Sequence, residues 1–332
     1  MLPAAHRGRM NDNYDVVVIG GGAAGLAGAV ALARSRRSVL VVDAGEPRNA
    51  PADHVHNFLT RDGTPPPEIY AAGRAEVARY GGHVQTGRVT ALTRDGDRFT
   101  VQIGDQAVTA RRLLVATGLR DELPDVPGLA ERWGIDVLHC PYCHGWEVRD
   151  QRIGILATGP AAAHQALLFR QLSPHVTVLA HTPLELTREQ QEQFGALGIG
   201  VIEGPVTGVE TEDGGLTGVR LADGARVALD ALIVAPRMTA NAELLAPLGL
   251  TPTEVRMGEQ VMGTQIEADP SGATSVPGVW VAGNLANIAA QVIISAAAGL
   301  TAAAAINGDL AAEDAKHAVG VTPRIPATTV SH

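Results

Sequence analysis

Cys140 and Cys143 are the only two cysteines in the chain of 332 residues, and they stand three apart in the stretch HCPYCHGW. A histidine flanks the pair on each side, His139 before it and His144 after it. This spacing is compatible with three kinds of chemistry: a redox disulfide, half of a zinc site, or covalent haem attachment through CxxCH. Choosing among them depends on the elements that hold the pair.

Composition restricts the partners and the compartment. The chain has a net charge of −9 and no run of Lys or Arg, so we expect no nucleic-acid partner. The first dozen residues hold no apolar stretch of signal-peptide length, and Gly and Ala interrupt the longest apolar stretches. We therefore expect a cytoplasmic protein without a membrane span, in which a CxxC is redox-active or metal-binding rather than structural.

The N-terminal stretch YDVVVIGGGAAGLAGAVALARSRRSVLVVDAG predicts a strand, a tight glycine turn, a helix and a second strand. Its GxGxxG consists of Gly20, which allows the turn, Gly22, which lets a pyrophosphate approach, and Gly25, which lets helix pack on strand. The helix N-terminus offers free N–H groups to the phosphate. Asp43 ends the second strand, where a carboxylate can accept hydrogen bonds from ribose hydroxyls. We predict a dinucleotide site here; the alternative is a glycine turn that serves packing alone.

A second unit with the same order of strand, turn, helix and strand spans residues 151 to 181. Short strands lead to the apolar strand LLVATG at 113–118, and VPGVWVAGNLAN at 276–287 predicts another strand that runs into a glycine and then a C-terminal helix. The fold class predicted is α/β, with two Rossmann-like, three-layer ββα nucleotide-binding domains, the second inserted into the first. The boundaries are 13–122 and 242–332 for a discontinuous FAD-binding domain and 123–241 for the inserted domain, with a tail over 319–332.

Four motifs in order, GGGAAGLAGA, LLVATG, CPYC and GVWVAGN, resemble the low-molecular-weight thioredoxin reductase family of flavoproteins over roughly residues 14 to 312. The resemblance implies a homodimer that binds FAD and carries the CxxC on its inserted domain. By motif position, the residues implied for FAD are Gly20, Gly22, Ala23, Ala24, Gly25, Asp43, Asn57, Ala116, Thr117, Gly118, Gly283, Asn284, Gln291 and Val292. Asn284 stands where that family has an aspartate, so it can bond a ribityl hydroxyl but brings no charge.

Three departures from that family bear on the electron donor. The inserted domain's turn has Ala157 where the family has the first glycine of GxGxxA, and a methyl group there restricts the backbone and crowds a phosphate. Residues 180 to 187 contain no arginine, whereas members that use NADPH place HRRxxxR there; only His181 matches. His144 replaces the aspartate of thioredoxin reductases. These differences make NADPH a doubtful cofactor.

CPYCHG with a degraded NADPH site resembles the FAD-dependent dithiol oxidases of gliotoxin and holomycin type. Those enzymes close a disulfide in a small natural product and pass the electrons to O₂, giving H₂O₂. A CxxC that opens a helix has its first thiol near free N–H groups, which lowers its pKa. The family position agrees, and implies Cys140 as the exchange thiol, Cys143 as the sulfur beside the flavin and His144 as the acid–base group.

Other interpretations stay open at this point. Zinc is disfavoured because adjacent residues rarely converge on one metal, and haem attachment because no export signal is present; we expect no metal. An inert pair of thiols is a further possibility, and His144 could be an ordinary hydrogen-bonded histidine. At the level of function, the alternatives are an NAD(P)H-dependent thioredoxin or disulfide reductase and a non-catalytic flavin-binding redox sensor. The sequence leaves undefined the dithiol, the role of His139 and that of residues 237–241.

Overall fold

The structure, a computed structural model, describes residues 12 to 321. Its strands are β1 Asn13–Ile19, β2 Val39–Asp43, β3 His83–Thr86, β4 Val89–Asp95, β5 Arg98–Ile103, β6 Gln106–Val115, β7 Leu119–Glu122, β8 Val137–Leu138, β9 Ile153–Leu156, β10 Val176–Ala180, β11 Gly200–Glu203, β12 Val206–Glu212, β13 Gly215–Leu221, β14 Arg226–Ala228, β15 Ala231–Val234, β16 Arg237–Ala240, β17 Thr253–Met257, β18 Gln260–Gln265 and β19 Val279–Val281. The helices are α1 Ala23–Arg34, α2 Pro66–Arg79, α3 Leu129–Arg132, α4 Pro141–His144, α5 Ala161–Arg170, α6 Arg188–Leu197 and α7 Val292–Val321, with 3₁₀ segments at Glu243–Leu248 and Gly283–Leu285. The predicted tail lies outside the described residues from 322 onward, and its first residues are helical.

The first domain is built on a seven-stranded sheet in the order β3-β2-β1-β6-β5-β4, with β19 beside the end of β6. Strands β1, β2, β3, β6 and β19 run parallel, whereas β4, β5 and the start of β6 form an antiparallel meander. Helices α1, α2 and α7 cover one face, where Leu32, Leu114 and Ile306 are buried. The meander and the first 3₁₀ segment cover the other face around Phe99 and Leu245. Burial on both faces explains the continuous valines of β1.

The inserted domain repeats this three-layer plan on a smaller scale. Its parallel sheet has the order β11-β10-β9-β15-β8. Helices α5 and α6 pack on one face through Phe169 and Phe194, and the antiparallel sheet β12-β13-β14 packs on the other through Val219. The predicted fold class of two Rossmann-like domains, the second inserted into the first, is confirmed. The exact boundaries stay a prediction.

A four-stranded sheet, β17-β18-β16-β7, lies where the chain passes between the domains. Strand β7 leaves the first domain and β16 returns to it, and the two pair antiparallel from Leu119–Ala240 to Glu122–Arg237. The hairpin β17–β18 extends this sheet toward the inserted domain. The crossing is therefore a paired, hydrogen-bonded structure rather than a pair of loose linkers.

Helix α7 packs directly on α1 through small residues. A Cβ atom at Gly299 would collide with the carbonyl oxygen of Ala24, and one at Gly28 would lie 2.5 Å from a methyl group of Leu114. Ala302 and Ile306 complete the buried face of α7. Backbone-to-backbone approach of this kind requires glycine, which fixes the position of the α7 N-terminus above the sheet.

Within residues 12–321, one helix, 292–319, is long and apolar enough to cross a membrane by length and composition alone, with a mean hydropathy of 1.4. The expectation that Gly and Ala would interrupt every apolar stretch is wrong for this segment, because neither residue breaks the helix. A core helix of a soluble protein passes the same test. The contact with α1 gives this helix such a packing role on one face.

Candidate active site and cofactor cradle

The cysteines lie where the edge strand β8 ends, beside β15 in the inserted sheet. Cys140 and Cys143 are joined by a disulfide, with their Cα atoms 5.3 Å apart. Cys140 caps α4, and its carbonyl accepts from the N–H groups of Cys143 and His144 at 3.3 and 3.2 Å. The CxxC therefore opens a helix, but one of a single turn, so nearby N–H groups matter more for Cys140 than a helix dipole does.

His144 follows the disulfide directly and is partly buried. Its Nε2 atom is enclosed and has no hydrogen-bond partner among the described residues. Burial lowers the pKa of His144, with Glu147 opposing that effect and His56 adding to it. The imidazole is therefore neutral near pH 7, which is the form that can take a proton from a thiol.

His139, on the other side of the pair, is in a different environment. Its ring stacks on Trp133 at a centroid distance of 6.3 Å and an interplanar angle of 19°. Burial, together with the charge of Arg48, lowers the pKa of His139 to about 4. Such a group is a weak base near neutrality, so the two flanking histidines are not equivalent.

An ion pair that the sequence analysis missed lies close to His139. Arg48 donates from Nε and Nη2 to the two carboxylate oxygens of Asp121 at 2.7 and 2.6 Å. The side chain of Asp121 is 7% exposed, and Arg48 also places Nη1 3.5 Å from Oδ1 of Asn284. No local pattern in the sequence signals this pair, because its partners lie on separate elements.

The predicted dinucleotide turn has the shape that an ADP group requires. Gly20 has a φ of +106°, and a Cβ atom at Gly22 would meet no atom of the described residues within 4 Å. Helix α1 begins at Ala23 without a side-chain N-cap in the described part of the chain, which leaves its first N–H groups free. Oδ1 of Asp43 accepts from the N–H of Gly21 at 3.1 Å, and Oδ2 stays available for a ribose hydroxyl.

The strand end at Ala116–Gly118 forms the opposite wall of this cradle. Gly118 has a φ of +69°, and the space beside its Cα is open with respect to the described residues. Thr117 is clamped by Asn241, whose carbonyl accepts from the Thr117 hydroxyl at 2.7 Å and whose amide donates to the Thr117 carbonyl at 3.1 Å. The segment 237–241, left undefined by the sequence, thus holds the strand end in place.

Gly283 and Asn284 shape the approach to α7. Gly283 has a φ of +70°, and the Asn284 amide donates to the carbonyls of Asn287 at 3.1 Å and Ala290 at 2.9 Å. These bonds position Gln291 and Val292, where α7 starts. Asn284 therefore has a structural role in this loop, and a contact with a ribityl hydroxyl stays a prediction. The whole set of glycines, the uncapped α1 and Asp43 fits FAD, which would be held by these residues.

Asn57, also predicted to line the cofactor, contacts the disulfide turn. Its backbone is in the left-handed region at a φ of +59°, and its side-chain amide donates to the carbonyl of Tyr142 at 2.5 Å. Tyr142 belongs to the inserted domain, so Asn57 connects the two domains beside the CxxC. A contact with the flavin stays a prediction for this residue.

The turn of the inserted domain, in contrast, is contacted by a side chain from the hairpin β17–β18. A Cβ atom at Gly159 would lie 2.6 Å from both the nitrogen and the oxygen of the Gln260 side-chain amide, which comes from the start of β18. Thr182 closes the turn from another side, because its N–H donates to the Ala157 carbonyl at 3.1 Å. Nδ1 of His181 accepts from the N–H of Val206 at 3.0 Å, so it serves the backbone of β12. The altered turn is visible in the sequence, whereas the contact with Gln260 is not, because Gln260 lies more than a hundred residues away.

Comparison with known proteins agrees with this geometry. Residues 14–303 match the family described as pyridine nucleotide-disulphide oxidoreductase. The chain belongs to this family. It is 47% identical to HlmI, with a TM-score of 0.85 and coverage of 93% of this chain and 96% of that structure. It is also 30% identical to thioredoxin reductase sirT of Leptosphaeria maculans, over 89% of this chain and 93% of that protein.

Two further curated relatives match over a smaller part of their length. The match is 36% identical and spans 60% of thioredoxin reductase tcpT of Claviceps purpurea. It is 39% identical and spans 37% of a probable thioredoxin reductase of Arthroderma benhamiae. Family, fold and paired sulfurs together place the chain among the flavin-dependent thiol/disulfide oxidoreductases.

Proposed function

We propose that this protein is an FAD-dependent dithiol oxidase that closes a disulfide in a small-molecule dithiol and uses O₂ as the electron acceptor. The observation that carries the proposal is the Gln260 side chain against Gly159, in the turn where a dinucleotide phosphate would bind. The absence of arginine from residues 180 to 187 supports it as well. Electrons then enter through the disulfide rather than through NADPH.

The thiol chemistry follows from the disulfide. A substrate thiolate attacks Sγ of Cys140, the Cys140–Cys143 bond breaks, and Cys143 leaves as a thiolate. The second substrate thiolate attacks the substrate sulfur of the mixed disulfide and displaces Cys140. The substrate leaves as a disulfide, and its two electrons remain on the enzyme dithiol.

His144 supplies the base that these exchange steps need. A neutral imidazole takes the proton of an incoming thiol and so generates the attacking thiolate. When bound, FAD would supply the acceptor for the electron pair of the dithiol and the route of that pair to O₂, which forms H₂O₂ with the two thiol protons. The residues of the chain provide the exchange sulfurs, the proton acceptor and the cradle.

The surroundings of the disulfide favour a small, partly apolar substrate. Tyr142 and Trp146, next to the cysteines, are 63% and 66% exposed. Aromatic faces of this kind bind rings and aliphatic groups. We also propose a cytoplasmic location, no nucleic-acid or membrane partner, and a homodimer.

A reductase that takes electrons from NAD(P)H is the second candidate, because a cleft of about 390 Å³ lies between the hairpin and the inserted domain. Arg237, His181 and Thr158 are among the described residues that line it. Arg237 is a cation that a phosphate group can bind. Gln260 and Thr182 reduce this cleft at the turn where a pyrophosphate would bind.

Anaerobic stopped-flow absorbance of the purified flavoprotein tests the proposal. Dithiothreitol, as a probe dithiol, should bleach the flavin, whereas NADPH and NADH should leave it oxidised. Cys143→Ser should abolish bleaching by dithiothreitol, and in air the wild-type protein should release one H₂O₂ for each dithiol oxidised. Rapid bleaching by NADPH with none by dithiothreitol would establish the reductase instead.

A further inference from the structure

Three ionisable side chains form a chain of contacts beside the disulfide turn. His56, in the loop before α2, places Nδ1 3.4 Å from a carboxylate oxygen of Asp62 and Nε2 3.4 Å from a carboxylate oxygen of Glu147. Glu147 follows His144 by three residues in the turn after α4, and its carboxylate raises the pKa of His144. The series Asp62, His56, Glu147 therefore leads from the first domain to the catalytic turn.

The loop that carries His56 is fixed on the inserted domain. The N–H of Asn57 donates to Asp62 at 2.9 Å, and the Asn57 amide donates to the Tyr142 carbonyl. The left-handed backbone of Asn57 makes both bonds possible at one residue. His56 is thus held between the two carboxylates, and the domain border does not separate it from Glu147.

His144 needs a neighbouring group to which it can release a proton. Its Nε2 is enclosed without a partner among the described residues, so a proton taken there cannot pass directly to water. Glu147 and Asp62, by contrast, are 41% and 68% exposed at their side chains, whereas His56 is 22% exposed. Glu147 thus offers a carboxylate that is in contact with water, whereas His56 is enclosed between the two carboxylates.

We propose that Glu147 is a positioning residue that stabilises protonated His144 and exchanges its proton with solvent, and that His56 positions the Glu147 carboxylate. In this relay the proton moves from the substrate S–H to His144, from His144 to Glu147, and from the exposed Glu147 carboxylate to water; no electron and no other bond is involved. This inference rests on the proposed function, because it concerns the thiol proton of that reaction. The charged and titratable groups that face His144 are Glu147, His56 and His139, and those that face His56 are Asp62, Glu147 and His54.

Opposite effects on His144 are the expected signature. Glu147 raises the pKa of His144 and His56 lowers it. Glu147→Gln should therefore move the pH midpoint of flavin reduction by dithiothreitol downward by about half a pH unit and slow the step about 10-fold. His56→Gln should move the midpoint upward, because it removes a group that lowers the pKa of His144 and releases Glu147 to face His144.

His54→Gln is the matched control. His54 belongs to the same loop, its ring lies 6.2 Å from that of His56, and it is exposed. This change should leave both midpoint and rate as in the wild-type protein. Titration of ¹³C-labelled histidine by NMR, without any dithiol, should give the same order of His144 pKa values across the variants.

The outcomes separate the two proposals. A wild-type protein that dithiothreitol does not bleach would refute the dithiol oxidase, whatever the variants do. A bleachable wild-type protein whose Glu147→Gln and His56→Gln variants keep its pH midpoint and its His144 titration would refute the relay alone. Variants that lose rate with both midpoints unchanged would show a merely structural role and would also overturn the relay.

Discussion

Arg48 and Asp121 determine the surroundings of one of the two histidines at the disulfide. Burial has the largest effect on the pKa of His139; the Arg48 guanidinium lowers that pKa further and the Asp121 carboxylate raises it. Because the Asp121 side chain is almost fully enclosed, Arg48 is the ion-pair partner that stabilises its carboxylate. His139, neutral and stacked on Trp133, then acts as part of the wall of the site.

Replacing Arg48 by leucine should destabilise the protein by about 3 kcal/mol, because it leaves the Asp121 carboxylate enclosed and unpaired. Urea-induced unfolding measures the change. The same variant should raise the pKa of His139 above about 4, since the opposing carboxylate then acts alone; ¹³C-histidine NMR measures this effect.

Arg88→Leu is the control for that substitution. Arg88 pairs with Glu46 at 2.6 Å, but the two side chains are 64% and 71% exposed, so the loss should stay below about 0.5 kcal/mol. Equal losses in the two variants would contradict the interpretation that burial makes the Arg48–Asp121 pair important.

The sequence allowed prediction of residues whose chemistry is local. Cys140, Cys143 and the glycines of the first turn are adjacent or nearly so, and their spacing alone indicates what they do. Arg48 and Asp121 are separated by 73 residues, and His56 and Glu147 come from different domains. Such pairs are formed by tertiary packing, and no periodicity or motif in one sequence marks them.

At the scale of elements, the contact of α1 with α7 positions both halves of the cradle. The N-terminus of α1 faces the predicted pyrophosphate, and α7 begins at the loop that Asn284 organises. Gly299 lets the two helices touch at the carbonyl of Ala24, one residue after the start of α1. Any separation of these helices would therefore move both binding segments.

Gly299→Ala should destabilise the protein by about 2 kcal/mol and weaken FAD retention, because the added methyl group collides with backbone that cannot move independently. Urea-induced unfolding and the ratio of flavin to protein absorbance after gel filtration give the two readouts. Gly308→Ala, in the same helix, meets no described atom within 4 Å and should be neutral or stabilising by about 0.5 to 1 kcal/mol. If Gly299→Ala has the same stability and FAD retention as Gly308→Ala, close contact between α1 and α7 is not what holds the FAD-binding segments in place.

Prediction at the element scale depended on periodicity, and it failed where composition was ambiguous. The βαβ units follow from apolar strands and glycine turns, and both are present. The C-terminal segment was predicted to be a helix, and it is one, since alanine has the highest helix propensity. Gly and Ala were also expected to break its apolar stretch below the length of a membrane span, and they do not. Whether its apolar face meets protein or lipid depends on what packs against it, which the sequence does not specify.

For the whole molecule, contacts on two sides hold the inserted domain against the first. Asn57 and His56 reach the disulfide turn, and Gln260 reaches the turn at Gly159. These contacts hold the disulfide against the first domain and place Gln260 at the second nucleotide turn, which supports the proposal that the enzyme takes its electrons from a dithiol.

The outer face of α7 is the surface that we propose for dimerisation. No charged residue occurs in α7 before Asp309, and the exposed positions of this first part are Ile294, Ala297, Leu300, Thr301, Ala304 and Gly308. The second part differs, because Asp309, Glu313 and Asp314 bind arginines of the sheet and of the loop after α1. In a chain with a net charge of −9, an uncharged face of this length allows two copies to approach without repulsion.

Leu300→Glu should convert the dimer to a monomer, since it buries two carboxylates in a symmetric apolar interface. Leu300 is 55% exposed in the monomer, so the fold should tolerate the change, and far-ultraviolet circular dichroism checks that it does. Light scattering after gel filtration gives the mass of each variant. Val319→Glu is the control, because Val319 is 79% exposed at the far end of the same helix and lies beyond the uncharged face, so this variant should stay dimeric. If the wild-type protein is monomeric, or if it floats with phospholipid vesicles and Leu300→Glu does not, a second copy is not the partner of this face.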